Sequence, residues 1–223
     1  MARSWKLDKK RIVGSMFDGQ VLRLLDQIYE DDRGYFMEGH RDSFNLPKFV
    51  QDNFSHSKKG VFRGLHTQIY PNPVGKLVRV IQGTIVDFFV DLRSGPTFGY
   101  IGVECLNDIR DSLYIPQGFA HGFLALEDSI VHYKQTDYHD PDSELIVNIE
   151  EFELNDDRCG LLHNIYMMVH CRTHKKFDSY GVKLESWEDV IRSDKDYKSL
   201  NLDEIDSVNF VFSEADFEDS NIR

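Results

Sequence analysis

The stretch KLVRVIQGTIVDFFVDLRSGPTFGYIGVECL, residues 76–106, constrains the fold more than any other part of the chain. Two runs rich in Val, Ile and Phe flank Gln82-Gly83, and Gly95-Pro96 closes the second. Apolar runs this short, bounded by Gly and Pro, read as strands and turns rather than helices. In the second run Ile85, Asp87, Phe89 and Asp91 share one face, with Val86, Phe88 and Val90 on the other, because strand side chains alternate. An acid among apolar positions is what a barrel with a partly polar interior requires. DSLYIPQGFAHGFLAL (111–126) and SIVHYKQTDY (129–138) continue the pattern. Short strands at regular spacing with no long helical period predict a mainly β chain, a sandwich or barrel, over about residues 10–150.

Residues 151–223 differ in character. ELNDDRCGLLHNIYMMVHCRTH (153–174) reads as a helix followed by a loop. SWEDVIRSDKDY (186–197) reads as a short helix with Ser186 as N-cap and Glu188-Asp189 in its first turn. The acidic tail, 199–223, reads as a surface wrap or a frayed end. This segment is therefore expected to be a helical and loop appendage to one β domain, 1–223.

Charge narrows the function. The chain carries a formal net charge of −12 and an isoelectric point near 5.1, which argues against nucleic acid and anionic membranes as partners. A small anionic ligand would need a local basic pocket within this acidic envelope. No apolar stretch approaches a membrane span, and MARSWKLDKKRIV lacks the apolar core of a signal peptide. Cys105, Cys159 and Cys171 are odd in number and widely spaced, so the expectation is reduced thiols and a cytoplasmic location.

IPQGFAHGF (115–123) contains Pro-x-Gly-x-x-His, a tight turn that delivers His121 as an inward strand residue. In cupin (jelly-roll) barrels this half-motif pairs with a His-x-His and a downstream Glu to hold a divalent metal. Here the corresponding segment is GLHTQ, with Thr67 and Gln68 after His66 and no second imidazole. The barrel is thus expected to hold no metal, yet it places His66, Lys76, His121 and Tyr133 at inward-capable positions. Each alone reads as a satisfied core or rim residue. Four such groups together carry a burial cost that pairing or use must offset. Cys159, His163, His170, Cys171 and His174 suggest zinc, but only His170-x₃-His174 has ligand spacing, so thiols and surface imidazoles are the expectation.

In order and spacing, DDRGYFMEGHRDSF, FVQDNFSHSKKGVFRGLHTQ, GKLVRVIQGTIVDFFVDLRSGPTFG, YIPQGFAHGFLAL and YKQTDYHDPDSE resemble the dTDP-4-dehydrorhamnose 3,5-epimerase family over about residues 28–146. RSDKD (192–196) is similar to that family's C-terminal Ser-x-Lys-Asp element. The resemblance implies a cupin-type jelly-roll and a cofactor-free isomerase acting on a nucleotide-linked 4-keto-6-deoxy sugar in deoxysugar biosynthesis. The neighbouring ketone acidifies C3 and C5, so epimerisation needs a base on one face, support for the enolate oxygen, and an acid on the other face. The resemblance assigns the base to His66, oriented by Asp196, the oxyanion cation to Lys76, and the acid to Tyr133, with Tyr138 as fallback. It assigns substrate binding to Arg33, Phe36, Glu38, Gln51, Asn53, Arg63, His121 and Tyr138, and it implies a homodimer built by exchange of N-terminal strands. Asp87, Asp91 and Arg93 read as scaffold.

Between the barrel and RSDKD the chain departs from that family, lacking its Asp-Asp-Pro and Trp-Pro elements in a longer segment. The departure keeps open a 3- or 5-epimerase acting at one centre, or a 3,4-ketoisomerase. A metal-dependent cupin and a non-catalytic sugar-nucleotide-binding barrel are the alternatives from other classes.

Overall fold

The computed structural model describes residues 12–42, 46–152, 161–184 and 186–207. Its strands are β1 (Ile12–Met16), β2 (Val21–Leu25), β3 (Ile28–Asp31), β4 (Gly34–Met37), β5 (Gln51–Ser57), β6 (Phe62–Gln68), β7 (Lys76–Gln82), β8 (Ile85–Asp91), β9 (Ile101–Leu106), β10 (Asp111–Ile115), β11 (Phe119–Ala125), β12 (Ser129–Gln135) and β13 (Glu144–Ile146). One sheet has the order β1-β2-β10-β7-β12-β5 and a second the order β13-β6-β11-β8-β9, while β3 and β4 form a separate hairpin. From β5 to β8 the chain crosses between the two large sheets at every step. Antiparallel sheets built by such crossings make the expected jelly-roll barrel.

Alternation along β8 explains its unbroken apolar run. Ile85 and Phe89 enter the barrel interior with Val78, Val80, Leu113, Ile115 and Val131. Val86, Phe88 and Val90 point outward, yet they are equally buried, because the C-terminal third covers that sheet. Its helix α1 (Leu161–Thr173) buries Leu161, Ile165 and Val169 there. Phe177, Trp187 and Val190 complete the same cluster. Trp187 stacks its ring 5.6 Å from Phe62 and 5.7 Å from Phe88, and its Nε1 donates to the Phe152 carbonyl at 3.1 Å. The described part of the expected appendage is therefore a lid on one face of the barrel.

The short helix expected at 186–197 is one 3-10 turn, Trp187–Asp189. Ser186 caps it as expected: its side chain accepts from the Glu188 N–H while Asp189 accepts from the Ser186 N–H. The turn goes no further because Val190 is drawn into the core and Ile191 pairs in parallel with Val61. Ile191 takes the Phe62 N–H on its carbonyl and gives its own N–H to Gly60, each at 2.9 Å. This tie fixes the start of β6 to the segment leading to Asp196. Within the acidic tail a short helix, α2 (Leu202–Ser207), is present; Cys159 and residues 208–223 lie outside the described residues.

On the opposite sheet Leu24, Leu77 and Tyr114 face outward beneath Leu46 and Phe49. Arg79, also outward, donates to Ile109 O at 2.6 Å and Gly39 O at 3.0 Å and pairs with Asp26. Among the described residues no helix is long and apolar enough to cross a membrane.

Candidate active site

A cavity of about 600 Å³ opens at one end of the barrel, where β6, β7, β12 and β13 meet. Its geometry begins with an irregularity in β6. The β11 partners of Arg63 and His66 are Phe123 and His121, so β6 spends one more residue than β11 between the two pairs. Strict alternation would put residues 63 and 66 on opposite faces, but this extra residue lets both side chains line the cavity. Gly64 makes it possible, with φ of +133° and a backbone approach so close that an added Cβ would lie 2.5 Å from Gly122 Cα.

His66 sits between two carboxylates. Its Nε2 is 3.2 Å from Asp196 Oδ1 and its Nδ1 is 3.2 Å from Glu144 Oε1. Neither contact is well aligned for a hydrogen bond, since His66 Nδ1 and Asp196 Oδ1 remain without partners, so the attraction is electrostatic. Asp196 is fixed through its other oxygen, which accepts from Ser193 N–H at 3.1 Å and Ser193 Oγ at 2.9 Å. Glu144 is drawn away by an ion pair with Lys195. Burial pushes the His66 imidazole below its ordinary value and outweighs the pull of Asp196, with Lys76 adding to the depression. Burial opposes ionisation of Asp196, yet His66 and the Ser193 bonds hold its carboxyl below the usual range. The resting pair is a neutral imidazole beside a carboxylate.

Lys76 opens β7 on the same wall. Burial pushes its ammonium down to about 8, against the pull of Asp87. Asp87 is fully buried, its Oδ2 2.9 Å from His121 Nε2. Burial raises the Asp87 carboxyl and lowers the His121 imidazole, each effect moderated by the other group. Tyr133, inward on β12, is raised by burial, with Arg63 opposing, so it stays a phenol and a proton donor. Arg63 reaches the mouth with its Nε on Ser57 Oγ at 2.8 Å and Nη2 on the His56 carbonyl at 3.2 Å. Gln51 and Asn53, on the same wall, are joined side chain to side chain.

The cavity therefore gathers His66, Lys76, Tyr133, Asp196, Gln51, Asn53, Arg63 and His121. It does not gather Arg33, Phe36, Glu38 or Tyr138. Arg33 is 89% exposed on the β3–β4 hairpin and pairs with Asp31. Phe36 is exposed on the same hairpin, and Glu38 pairs with Arg41. The Tyr138 side chain faces solvent, while its carbonyl accepts from Gln68 Nε2 at 3.2 Å. The following residue, His139, lines the mouth instead.

Residue reading missed His139, Glu144, Gln135, Ser193 and Lys195, all of which line the cavity. Three of them carried a signal. Gln135 lies two places after Tyr133 in the same strand, and Ser193 and Lys195 sit inside RSDKD. Among the described residues no group of three or more His, Cys, Asp or Glu is arranged to hold a metal ion.

Residues 19–204 match the profile of the family described as dTDP-4-dehydrorhamnose 3,5-epimerase. A curated member from Methanothermobacter thermautotrophicus is 45% identical over 140 residues, covering 59% of this chain and 75% of that protein. One from Salmonella typhimurium is 43% identical over 133 residues, covering 56% and 73%. Among solved structures, a dTDP-6-deoxy-D-glucose-3,5-epimerase from Legionella pneumophila in complex with dTDP-4-keto-L-rhamnose superposes with a TM-score of 0.69 at 32% identity, covering 88% of this chain and 95% of that one. The Bacillus anthracis dTDP-4-dehydrorhamnose 3,5-epimerase, with TDP and pyrophosphate bound, gives 0.66 at 30% identity, covering 85% and 98%. With the family profile spanning β2 to β13 and reaching through Asp196, the chain belongs to the dTDP-4-dehydrorhamnose 3,5-epimerase family.

Proposed function

We propose that this protein is an isomerase that epimerises C3 and C5 of a nucleotide-linked 4-keto-6-deoxy sugar of the dTDP-4-dehydro-6-deoxyglucose type, giving the dTDP-4-dehydrorhamnose configuration. The observation that carries the reading is the convergence of His66, Lys76 and Tyr133 on one cavity. Neutral His66, held beside the Asp196 carboxylate, removes the proton from the carbon beside the ketone; the C–H electron pair forms the C=C bond of the enolate and the carbonyl π pair moves to O4. The resulting charge is met by the Lys76 ammonium in a site that excludes much of the water, where a fixed charge is most effective. Tyr133 returns a proton to the opposite face, O4 collapses to the ketone, His66 releases its proton to water and the Tyr133 phenolate takes one back from water. Arg63 receives the diphosphate at the mouth through a planar guanidinium suited to phosphate.

Proton NMR in D₂O tests this directly. The expected result is deuterium at C3 and C5 with inversion at both, and exchange at neither carbon sinks the reading. Inversion at one carbon alone would mark a single-centre epimerase. One observation favours that variant: Tyr133 is the single tyrosine on the cavity wall among the described residues.

The protein acts as a homodimer in this reading. Arg33 and Phe36 stand on an exposed hairpin, away from their own cavity, and Phe54 on the outer face of β5 is 70% exposed. A cytoplasmic location rests on the free thiols of Cys105 and Cys171, which suit a reducing compartment.

A further inference from the structure

The cavity wall carries a row of side-chain amides whose orientation can be read without ambiguity. The backbone N–H of His139 has no choice but to donate, and it donates to Gln51 Oε1 at 2.9 Å. Gln51 must then present its Nε2 to Asn53 Oδ1, at 2.9 Å. Asn53 in turn presents Nδ2 to Gln135 Oε1, at 2.6 Å. A backbone donor at the head thus settles every oxygen and nitrogen assignment down the row. Each bond polarises the next, so the donor character accumulates at the far end. That end is Gln135 Nε2, which donates to no group among the described residues.

Gln135 is 4% exposed and lines the cavity. In the register of β12 on β7 it lies directly opposite Lys76. Directly paired residues project on the same face with Cβ atoms about 5 Å apart. Lys76 likewise has no hydrogen-bond acceptor or ion-pair partner among the described residues, although Asp87 attracts it at longer range. Two donors, one charged and one neutral, therefore stand side by side on the cavity wall with no acceptor for them among the described residues. Neither Gln135 Nε2 nor Lys76 Nζ is among the fully buried polar atoms left without a partner, so both open onto the cavity, where an acceptor that arrives with the substrate can meet them.

We propose that Gln135 is the second donor to the enolate oxygen, delivered beside Lys76 by the one-way relay Gln51–Asn53–Gln135. The proposal rests on the epimerase reading above. When the electron pair reaches O4, the oxygen gains charge between the Lys76 ammonium and the Gln135 N–H, and both bonds strengthen in the transition state. The ketone of the ground state makes the same contacts more weakly, so the gain falls on turnover rather than on binding.

Two variants separate this role from a merely structural one. Gln135→Glu keeps the acceptor for Asn53 and the side-chain shape but removes the donor; Gln135→Met removes both. Steady-state kinetics on dTDP-4-keto-6-deoxyglucose should show kcat about a hundredfold lower in each, the effect typical of one lost oxyanion donor. Deuterium exchange at C3 and C5 should slow in step, while Gln135→Met binds dTDP within twofold of the wild type. Near wild-type kcat in Gln135→Glu would overturn the proposal, since support of Asn53 would then be the whole role. A loss of dTDP affinity in Gln135→Met that matches its loss of kcat would overturn it too, assigning the amide to the nucleotide. A wild-type protein that exchanges neither hydrogen would instead overturn the epimerase reading itself, and the proposal with it.

Discussion

Burial of Lys76 has consequences of opposite sign for stability and for turnover. An unfolded lysine titrates near its model value of 10.5, whereas in the folded protein the group falls to about 8. Between those values the unfolded chain binds the extra proton, so the wild type gains stability as pH rises through that window and carries the full penalty below it. Lys76→Met should therefore be more stable than wild type at pH 7 by about 3 kcal/mol, from 1.36 kcal/mol per pKa unit. The gap should close as pH rises from 8 past 10.5, measured by urea unfolding across that range. The same variant should have no measurable kcat. In the wild type, kcat/KM should be bell-shaped, with an alkaline limb near pH 8 as Lys76 loses its proton and an acid limb below the ordinary imidazole range as His66 gains one. A profile flat from pH 7 to 9.5 would remove Lys76 from its charged role. At this scale the family motifs made His66, Lys76 and Tyr133 legible. They did not show that the cavity takes His139 in place of Tyr138, because the two follow the end of β12, where strand alternation no longer decides which side chain turns inward.

At the scale of elements, two features hold the site and neither is written in the period of the sequence. Alternation along RGLH puts Arg63 and His66 on opposite faces; the extra residue in β6 brings them together, and Gly64 was its one local sign. Gly64→Ala would drive a Cβ to 2.5 Å from Gly122 Cα at a φ of +133°, so backbone must move. Loss of the folded state, or a sharply lower Tm with kcat reduced more than dTDP affinity, is the expected outcome. The second feature is the segment that leads from Trp187 to the turn carrying Asp196. Its expected helix gives way to one turn because pairing of Ile191 with Val61 and burial of Val190 and Trp187 satisfy more of the chain than further helix would. Trp187→Ala should cost about 3–5 kcal/mol, the range for a large aromatic lost from a core. It should also lower kcat, since the strap that sets Asp196 against His66 is anchored by that ring. Circular dichroism melts and steady-state rates check both; an unchanged kcat in the folded variant would detach the strap from catalysis.

At the scale of the molecule, the barrel was legible because its strands alternate and its turns carry Gly and Pro, while the lid of α1 and the segments after it was not. Both faces of β8 are apolar, and a sequence does not say which part of the chain will cover the outer one. The same gap surrounds Arg33. Within one chain it stands on a solvent-facing hairpin, yet the family pattern gives it to the substrate; β1 and β2 pair within the chain's own sheet, so any delivery of Arg33 to a second copy falls to the separate β3–β4 hairpin. Complementation decides the point. Arg33→Ala and Lys76→Met should each be inactive or severely impaired alone. If Arg33 serves the partner's cavity, a mixed dimer contains one site with native Lys76 from the first variant and native Arg33 from the second. Unfolding and refolding the two together should then restore activity, up to roughly a quarter of wild type for random pairing in a two-fold dimer. If each Arg33 serves its own cavity, every site in the mixture lacks one group or the other and the mixture stays as inactive as its parts. The same mixture on a sizing column with light scattering should run at twice the chain mass, and a monomer there would end the shared-site reading whatever the rates show.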